Sequence, residues 1–352
     1  MPEIISTSVI DLPYRTNQTE FKNFARKIFS SGFSDIEKIL ESFDNTLIEY
    51  RNIAVPVDYF MSDKSFKEKN DLFIELALKY SIEAIENCFS KTDLIISDIT
   101  DLVFVTSTGI STPSIDALII NKMKLNPFIN RTPVWGLGCA GGVAGLAKAN
   151  TIAKANPKAV VMMISVELCS LTFIKDDITK SNLIATGLFS DGIAAVLIKG
   201  DKIKTENKFK IKVSDSQSKL YYDTLDIMGW DVTDSGFKVV FSKDIPSFVS
   251  KIAKADVTEF LKRNKLNIED MKYFIVHPGG KKVIDAYINS LEINRDRFDN
   301  TVNILKNYGN MSSATVLYVL NKVLECKLES GYGIMMSLGP GFSSELLLLD
   351  IK

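Results

Sequence analysis

Two halves of this chain repeat one pattern, and that duplication restricts its fold more than any single segment does. DLVFVTSTGISTPSIDALII (101–120) reads as an apolar strand, a turn of small residues and a helix, and YFIVHPGGKKVIDAYINSL (273–291) has the same order. About thirty residues after each comes a glycine-containing turn running into a helix, GLGCAGGVAGLAKA (136–149) and NYGNMSSATVLYVL (307–320). A further strand follows each, AVVMMIS (159–165) and GIMMSL (333–338), and the offset between halves stays near 171 to 173 residues. Superposable halves place Cys139 and Asn310 at equivalent positions across a pseudo-twofold axis. With His277 on a turn of the second half, all three are expected to face one cavity.

From residue 101 on, short apolar runs rich in β-branched residues alternate with helix-period stretches, which predicts an α/β architecture. Residues 1–95 carry helical patterning, such as Leu72, Leu76, Tyr80 and Ile85, and are expected to form helices covering a sheet built later in the chain. No Pro-rich or Ser-rich linker divides the 352 residues. The expected division is therefore between two halves, 1–205 with Cys139 and 206–352 with His277 and Asn310.

Lys+Arg 42 against Asp+Glu 43 leaves a net charge of -1, with no basic block to displace phosphate counterions, so nucleic acid is excluded as an expected partner. No apolar run approaches the roughly 18 residues that span a bilayer. MPEIISTSVIDLPYR lacks the basic start and apolar core of a secretion signal, so the expected location is cytoplasmic. Four cysteines without a C-x-x-C pair make neither a disulfide framework nor a zinc or redox site.

Cys139 lies in G-L-G-C-A-G-G ahead of a helical pattern. Flanking glycines suit a tight turn, and a helix N-terminus favours a thiolate, the setting of an activated nucleophile. Read from the turn alone, a small cysteine packed under a helix fits equally well. His277 is the sole histidine and ends an apolar strand, where α/β proteins place ligand chemistry. An imidazole there can hold a thiolate as an ion pair and then donate to a carbonyl, although a lone histidine is also a common structural residue. Asn310 begins a helical run as a cap does, and its neutral amide is also a suitable donor to a developing oxyanion.

GLGCAGG, VHPGGKKVIDA, NYGNMSSATVLYVL and SLGPGFSSELLLL, in this order and at these separations, resemble the signatures of type III polyketide synthases. TSTGISTPSIDA (106–117) and GLFSDGIAA (187–195) match as well, so the resemblance runs from about residue 20 to the C-terminus. WGLGCAGG, ELCSLTF (167–173) and DIMGWDVTDSGFKVVFSKDIPS (226–247) are closest to the bacterial alkylpyrone-forming branch. The resemblance implies a duplicated thiolase-like αβαβα fold, a homodimer with Ser111, Thr112 and Pro113 near the partner's cavity, and coenzyme A thioesters as substrates without a metal or redox cofactor. It puts the catalytic triad on Cys139, His277 and Asn310. The gatekeeping Phe falls on Phe189, and Cys169, Leu171, Thr172 and Ser312 fall on positions lining the cavity. Gly339, Pro340 and Gly341 form the loop beneath it. Trp230 replaces a glycine and Val239 a phenylalanine of the plant enzymes. Arg51 falls near the coenzyme entrance, or is an exposed arginine without a role. Asp191 reads as structural support, Cys88 and Cys326 as unreactive thiols.

The implied chemistry is loading of an acyl group onto Cys139, loss of CO2 from malonyl-coenzyme A, and attack of the enolate on the acyl-cysteine. A single-condensation enzyme of fatty acid synthesis also uses Cys, His and Asn, but typically follows its histidine with Gln-Ala-Asn, where this chain has Pro278-Gly279-Gly280. A cysteine hydrolase could use the same residue types without chain extension.

Overall fold

The computed structural model describes residues 1–206 and 210–352. The first half contributes β1 (Glu3–Val9), β2 (Tyr14–Asn17), α1 (Gln18–Phe29), α2 (Ile36–Asp44), β3 (Tyr50–Ile53), α3 (Phe66–Phe89), β4 (Asp101–Thr106), α4 (Ile115–Met123), β5 (Asn130–Trp135), α5 (Gly141–Ala155), β6 (Val160–Leu168), α6 (Lys180–Leu188) and β7 (Asp191–Lys199). The second contributes β8 (Ile211–Leu220), β9 (Met228–Thr233), β10 (Gly236–Phe241), α7 (Ile245–Arg263), β11 (Met271–Val276), α8 (Lys281–Leu291), α9 (Asp299–Tyr308), α10 (Thr315–Glu325), β12 (Gly331–Gly339) and β13 (Ser343–Ile351).

The duplication is visible in the strand order, β11-β12-β13-β8-β1-β7-β6-β4-β5. Outward from the middle, β1, β7, β6 and β4 are mirrored by β8, β13, β12 and β11. The pairings match too: β4 with β6 and β11 with β12 are parallel, while β1 with β7, β7 with β6, β8 with β13 and β13 with β12 are antiparallel; β5 adds one more parallel strand at the edge of the first half. The halves join through the antiparallel pair of β1 and β8, at Glu3↔Lys212 and Ile4↔Ile211. A parallel pair needs a long crossover, and the segments holding α5 and α10 supply it.

Side-chain alternation along the strands sorts the apolar residues into layers. Val103, Val105, Val161 and Met163 share a core with Val143 and Leu146 of α5, with Val316 and Leu320 of α10, and with Ile275, Met335 and Leu347 from the other half. Leu102, Phe104, Met162 and Ile164 face the opposite way, onto Phe73, Ala77 and Ile85 of α3. Phe274, Ile334, Met336 and Leu348 do the same in the second half, against Val249, Val257, Ile284 and Tyr287 of α7 and α8. The result is helix, sheet, helix, sheet, helix, with α5 and α10 side by side in the middle layer. Strands covered on both faces read as continuous apolar runs, which is why they were legible.

The N-terminal segment departs from expectation. α1, α2 and α3 form, the last opened by a reciprocal Ser65–Glu68 capping box worth about 1 kcal/mol. Yet β1 lies in the middle of the sheet and not outside it. Its Ser6, Thr7 and Ser8 are small polar residues that bury well, with Ser8 Oγ donating to Ala84 O and Thr7 Oγ1 to Asn321 Oδ1, and they hide the strand from a hydropathy reading. β9 and β10 form a hairpin outside the main sheet.

Candidate active site

Cys139 sits in a short 3-10 turn, Gly138–Ala140, that leads directly into α5. The turn needs glycine at 138, where φ is +47°, and a Cβ there would come within 2.7 Å of Pro340. Its amide donates to Ser107 Oγ at 2.8 Å. The loop of Gly339, Pro340 and Gly341 therefore braces the cysteine turn from one side and Ser107 holds it from the other. Gly142 sets a second close approach: a Cβ on it would lie 2.2 Å from Ser313 O. The start of α5 thereby meets the turn Ser312–Ala314 that precedes α10, and the two symmetry-related turns touch.

Asn310 is fixed from several directions. Its N–H donates to Leu188 O at 3.0 Å and its carbonyl accepts from Ser190 N at 2.9 Å, a parallel bridge that ties it to Phe189. Its Oδ1 accepts from Ser312 N at 2.9 Å, while Nδ2 reaches Gly279 O only at 3.4 Å and so remains largely available as a donor. Gly279 lies two residues beyond His277, whose backbone extends β11 by donating to Met336 O at 2.8 Å. Asn310 thus touches the histidine turn on one side, and with Ser312 it faces the Cys139 thiol on the other.

Burial dominates the electrostatics of both Cys139 and His277. Burial pushes the Cys139 thiol up to about 12, with Ser312 and Asn310 pulling it down and the charge of Glu167 adding to the rise. Burial pushes His277 down to about 3, and neither imidazole nitrogen has a hydrogen-bond partner among the described residues. Burial thus opposes the charged form of each group, thiolate and imidazolium alike. A neutral imidazole retains a free lone pair and can accept the thiol proton when a substrate carbonyl approaches.

Phe189, Cys169, Thr172, Trp230 and Val239 line one narrow pocket, closed at its far side by Phe21, Phe24, Phe60 and Phe173. Trp230 and Val239 face each other across the β9–β10 ladder, and the Trp230 ring lies 6.4 Å from that of Phe189. Leu171 lines a small adjoining cavity with Thr172 and Phe237. Ser312 and the Gly339–Gly341 loop border Cys139 and not this pocket. Cys139, His277 and Asn310 do not line it either; Phe189, bridged to Asn310, stands between the two regions. The Cys169 thiol is held well above its ordinary value by burial and by the charges of Glu167 and Asp191, consistent with a wall residue.

Arg51 is corrected. It is fully buried, donating to Thr186 O, Phe189 O and Gln18 Oε1, with its guanidinium 3.5 Å from the Phe21 ring centre. It is not the exposed arginine that was one expectation; it anchors the loop that carries Phe189. Asp191 accepts from Ala54 N, Ser170 N and Ser170 Oγ, and burial raises it to about 6. Cys88 is buried, but Cys326, at the end of α10, is exposed.

Sequence reading missed Glu167. One oxygen accepts from Ser107 N and Thr108 Oγ1, the other from Ser313 Oγ, so it links the turns flanking both Cys139 and Asn310. The signal was present: a carboxylate inside a strand that is apolar apart from Ser165.

Comparison with known proteins agrees over the whole chain. Residues 44–202 match the N-terminal domain of chalcone and stilbene synthases, and residues 213–351 match the C-terminal domain. The chain is 47% identical over 347 residues to the "Putative chalcone synthase" of Bacillus subtilis (strain 168), covering 96% of this chain and 95% of that protein. It is 32% identical to the 1,3,6,8-tetrahydroxynaphthalene synthase of Streptomyces peucetius subsp. caesius, over 96% of this chain and 90% of the relative. The crystal structure of the corresponding Streptomyces coelicolor A3(2) enzyme superposes with a TM-score of 0.93 at 26% identity, over 99% of both chains.

Proposed function

This chain belongs to the chalcone and stilbene synthases, the type III polyketide synthases, and from that premise we propose that it loads a medium- or long-chain fatty acyl group and extends it to alkylpyrones or alkylresorcinols. Such enzymes are decarboxylating, condensing acyltransferases. The observation that carries the finer reading is the narrow pocket beside Phe189, whose walls are mainly aromatic rings with Asp177, Asn182 and Lys238 also on its lining, and ring-walled space suits an unbranched aliphatic tail. A relative in Mycobacterium tuberculosis, 28% identical over 327 residues, is named an alpha-pyrone synthesis polyketide synthase-like protein.

In the proposed sequence His277 takes the proton of Cys139 as the sulfur attacks the acyl-coenzyme A carbonyl; the carbon–sulfur bond of the thioester breaks and coenzyme A leaves with that proton. Malonyl-coenzyme A then loses CO2, and the electron pair of the broken carbon–carbon bond moves onto the thioester oxygen as an enolate. Nδ2 of Asn310 and the N–H of His277 donate to that oxygen. The enolate carbon attacks the acyl-cysteine carbonyl, forming a carbon–carbon bond, and Cys139 departs as a thiolate. Coenzyme A thioesters supply every reacting group. Incubation with malonyl-coenzyme A and a panel of acyl-coenzyme A starters, read by mass spectrometry, tests the proposal: extended, cyclised alkyl products support it, and release of the free acid alone overturns it.

We further propose a homodimer. Trp135 Nε1 donates to Gly109 O, which ties the exposed Trp135 to the residue preceding the exposed Ile110, at the segment holding Ser111, Thr112 and Pro113. An exposed apolar pair at a sheet edge suits a protein surface. Among the described residues no helix is long and apolar enough to cross a membrane.

A further inference from the structure

The ammonium group of Lys69 stands between two walls of the acyl pocket. Lys69 is buried on α3 and makes no ion pair among the described residues; its Nζ donates to Phe173 O at 2.8 Å and to Ser235 O at 3.3 Å. Phe173 belongs to the far wall, where its ring meets Phe24 at 5.5 Å and Phe60 at 6.1 Å. Ser235 is in the turn joining β9 and β10, the strands that present Trp230 and Val239 as the near wall. One side chain therefore joins both walls.

The hairpin has few other polar ties. β9 and β10 pair only with each other, and among the described residues the polar links of 228–241 to the rest of the chain are Lys69 to Ser235 and an ion pair of Lys238 with Asp177 at 3.9 Å. The other contacts are apolar, among them the ring pairs of Phe237 with Phe66 at 5.1 Å and with Trp135 at 6.1 Å, and of Trp230 and Phe241 each with Phe189 at 6.4 Å. Rings slide on one another at little cost, whereas a shared donor fixes a distance.

Lysine is a costly choice for this position. Burial without a counter-ion pushes it down to about 8, and a methionine of similar length could fill the same space without a charge to desolvate. What lysine adds is several donors on one atom, able to hold two carbonyls at once.

We propose that Lys69 is a specificity-determining positioning residue: by pinning the Phe173 loop and the hairpin turn to a single point it fixes the width of the pocket, and with it the length of the starter chain accepted. This rests on the fatty-acyl reading above. Releasing the pin lets the hairpin swing out and admits longer chains.

The test uses Lys69→Met, which keeps side-chain length and removes the donors. Amide exchange across 228–241 is expected to accelerate while α5 and α10 stay protected, and the ratio of kcat/KM for palmitoyl over hexanoyl starters is expected to rise about fivefold or more. Lys69→Arg, which keeps a donor fork, is expected to stay within about twofold of the parent ratio. Unchanged hairpin exchange, or faster exchange with an unchanged starter ratio, overturns the proposal. If Lys69→Met does not fold, Lys69→Gln serves, since its shorter amide can hold one wall but not span both. A parent enzyme that loads no fatty acyl starter of any length refutes the fatty-acyl reading and with it the starter ruler, whereas hairpin exchange still reports separately whether Lys69 pins the turn.

Discussion

Glu167 and Ser313 are hydrogen-bonded across the two halves of the chain, the carboxylate near the end of β6 accepting from the hydroxyl in the turn that opens α10. The same carboxylate holds Ser107, and Ser107 Oγ holds the amide of Gly138. A single buried acid thus sets the spacing of the turns that carry Cys139 and Asn310.

Burial raises Glu167 to about 7 from an ordinary value of 4.5. The unfolded chain therefore ionises this group first, and its contribution to stability is complete below about pH 4.5 and is lost as pH rises through 7. Glu167→Gln is expected to show no such loss, so the stability of the variant relative to the parent should climb between pH 5 and pH 8, with a slope of at most about 1.4 kcal/mol per pH unit. Comparing urea midpoints of the two proteins cancels the contributions of His277 and Asp191. A constant difference across that range contradicts the assignment.

Asn310→Ala is expected to lose malonyl decarboxylation by about 10²–10³-fold, the usual effect of removing one oxyanion donor, and to retain acyl loading to within about tenfold. The separation follows from geometry, since Nδ2 is only loosely held by Gly279 O at 3.4 Å while the loading step relies on Cys139 and His277. Each half-reaction can be followed alone, by CO2 release and by mass of the acyl-enzyme. Equal loss in both, in a folded variant, makes Asn310 a structural residue.

The four thiols should separate by exposure and by consequence. Cys326 is the exposed one and is expected to react first with a bulky alkylating reagent, leaving condensation intact. Cys139, 8% exposed and with burial opposing its thiolate, should react more slowly with a small reagent and abolish condensation when it does. Peptide mapping against residual activity checks this. Complete labelling of Cys139 with full activity removes the nucleophile assignment.

The central strands, the paired helices and the neighbouring turns of Cys139 and Asn310 could be read from sequence because they are duplicated and because buried strands leave unbroken apolar runs. β1 could not, since Ser6, Thr7 and Ser8 are buried polar residues that look like a loop, Thr7 and Ser8 satisfying their hydroxyls internally. Arg51 misled for a related reason: a guanidinium that finds carbonyl partners and an aromatic face can be buried, and its partners at 18, 21, 186 and 189 are remote in sequence. Protonation states were equally illegible. A motif names the residues of a triad but carries no information on how thoroughly water is removed from them.

A dimer is expected at micromolar concentration by sedimentation equilibrium. Trp135→Glu, placing a charge on the exposed apolar pair with Ile110, should weaken it by about tenfold or more. A monomeric parent protein contradicts the proposal, and an unaffected variant moves the interface elsewhere.

The starter profile is the remaining expectation. Trp230 lies 6.4 Å from Phe189 and 6.3 Å from Phe237, so its indole fills the near side of the pocket where a flat ring would need to lie. Each methylene buried in a dry channel contributes about 0.8 kcal/mol, close to fourfold in kcat/KM, and the gain continues until the chain meets the wall of Phe24, Phe60 and Phe173. Among hexanoyl, lauroyl, palmitoyl and p-coumaroyl starters the aliphatic ones are therefore expected to be preferred, with p-coumaroyl last. Trp230→Gly should raise the ratio of p-coumaroyl to lauroyl by about tenfold or more, because removing the indole opens room for a ring and strips packing from the tail. A parent enzyme that prefers p-coumaroyl contradicts the aliphatic reading while leaving Cys139, His277 and Asn310 as the reacting centre.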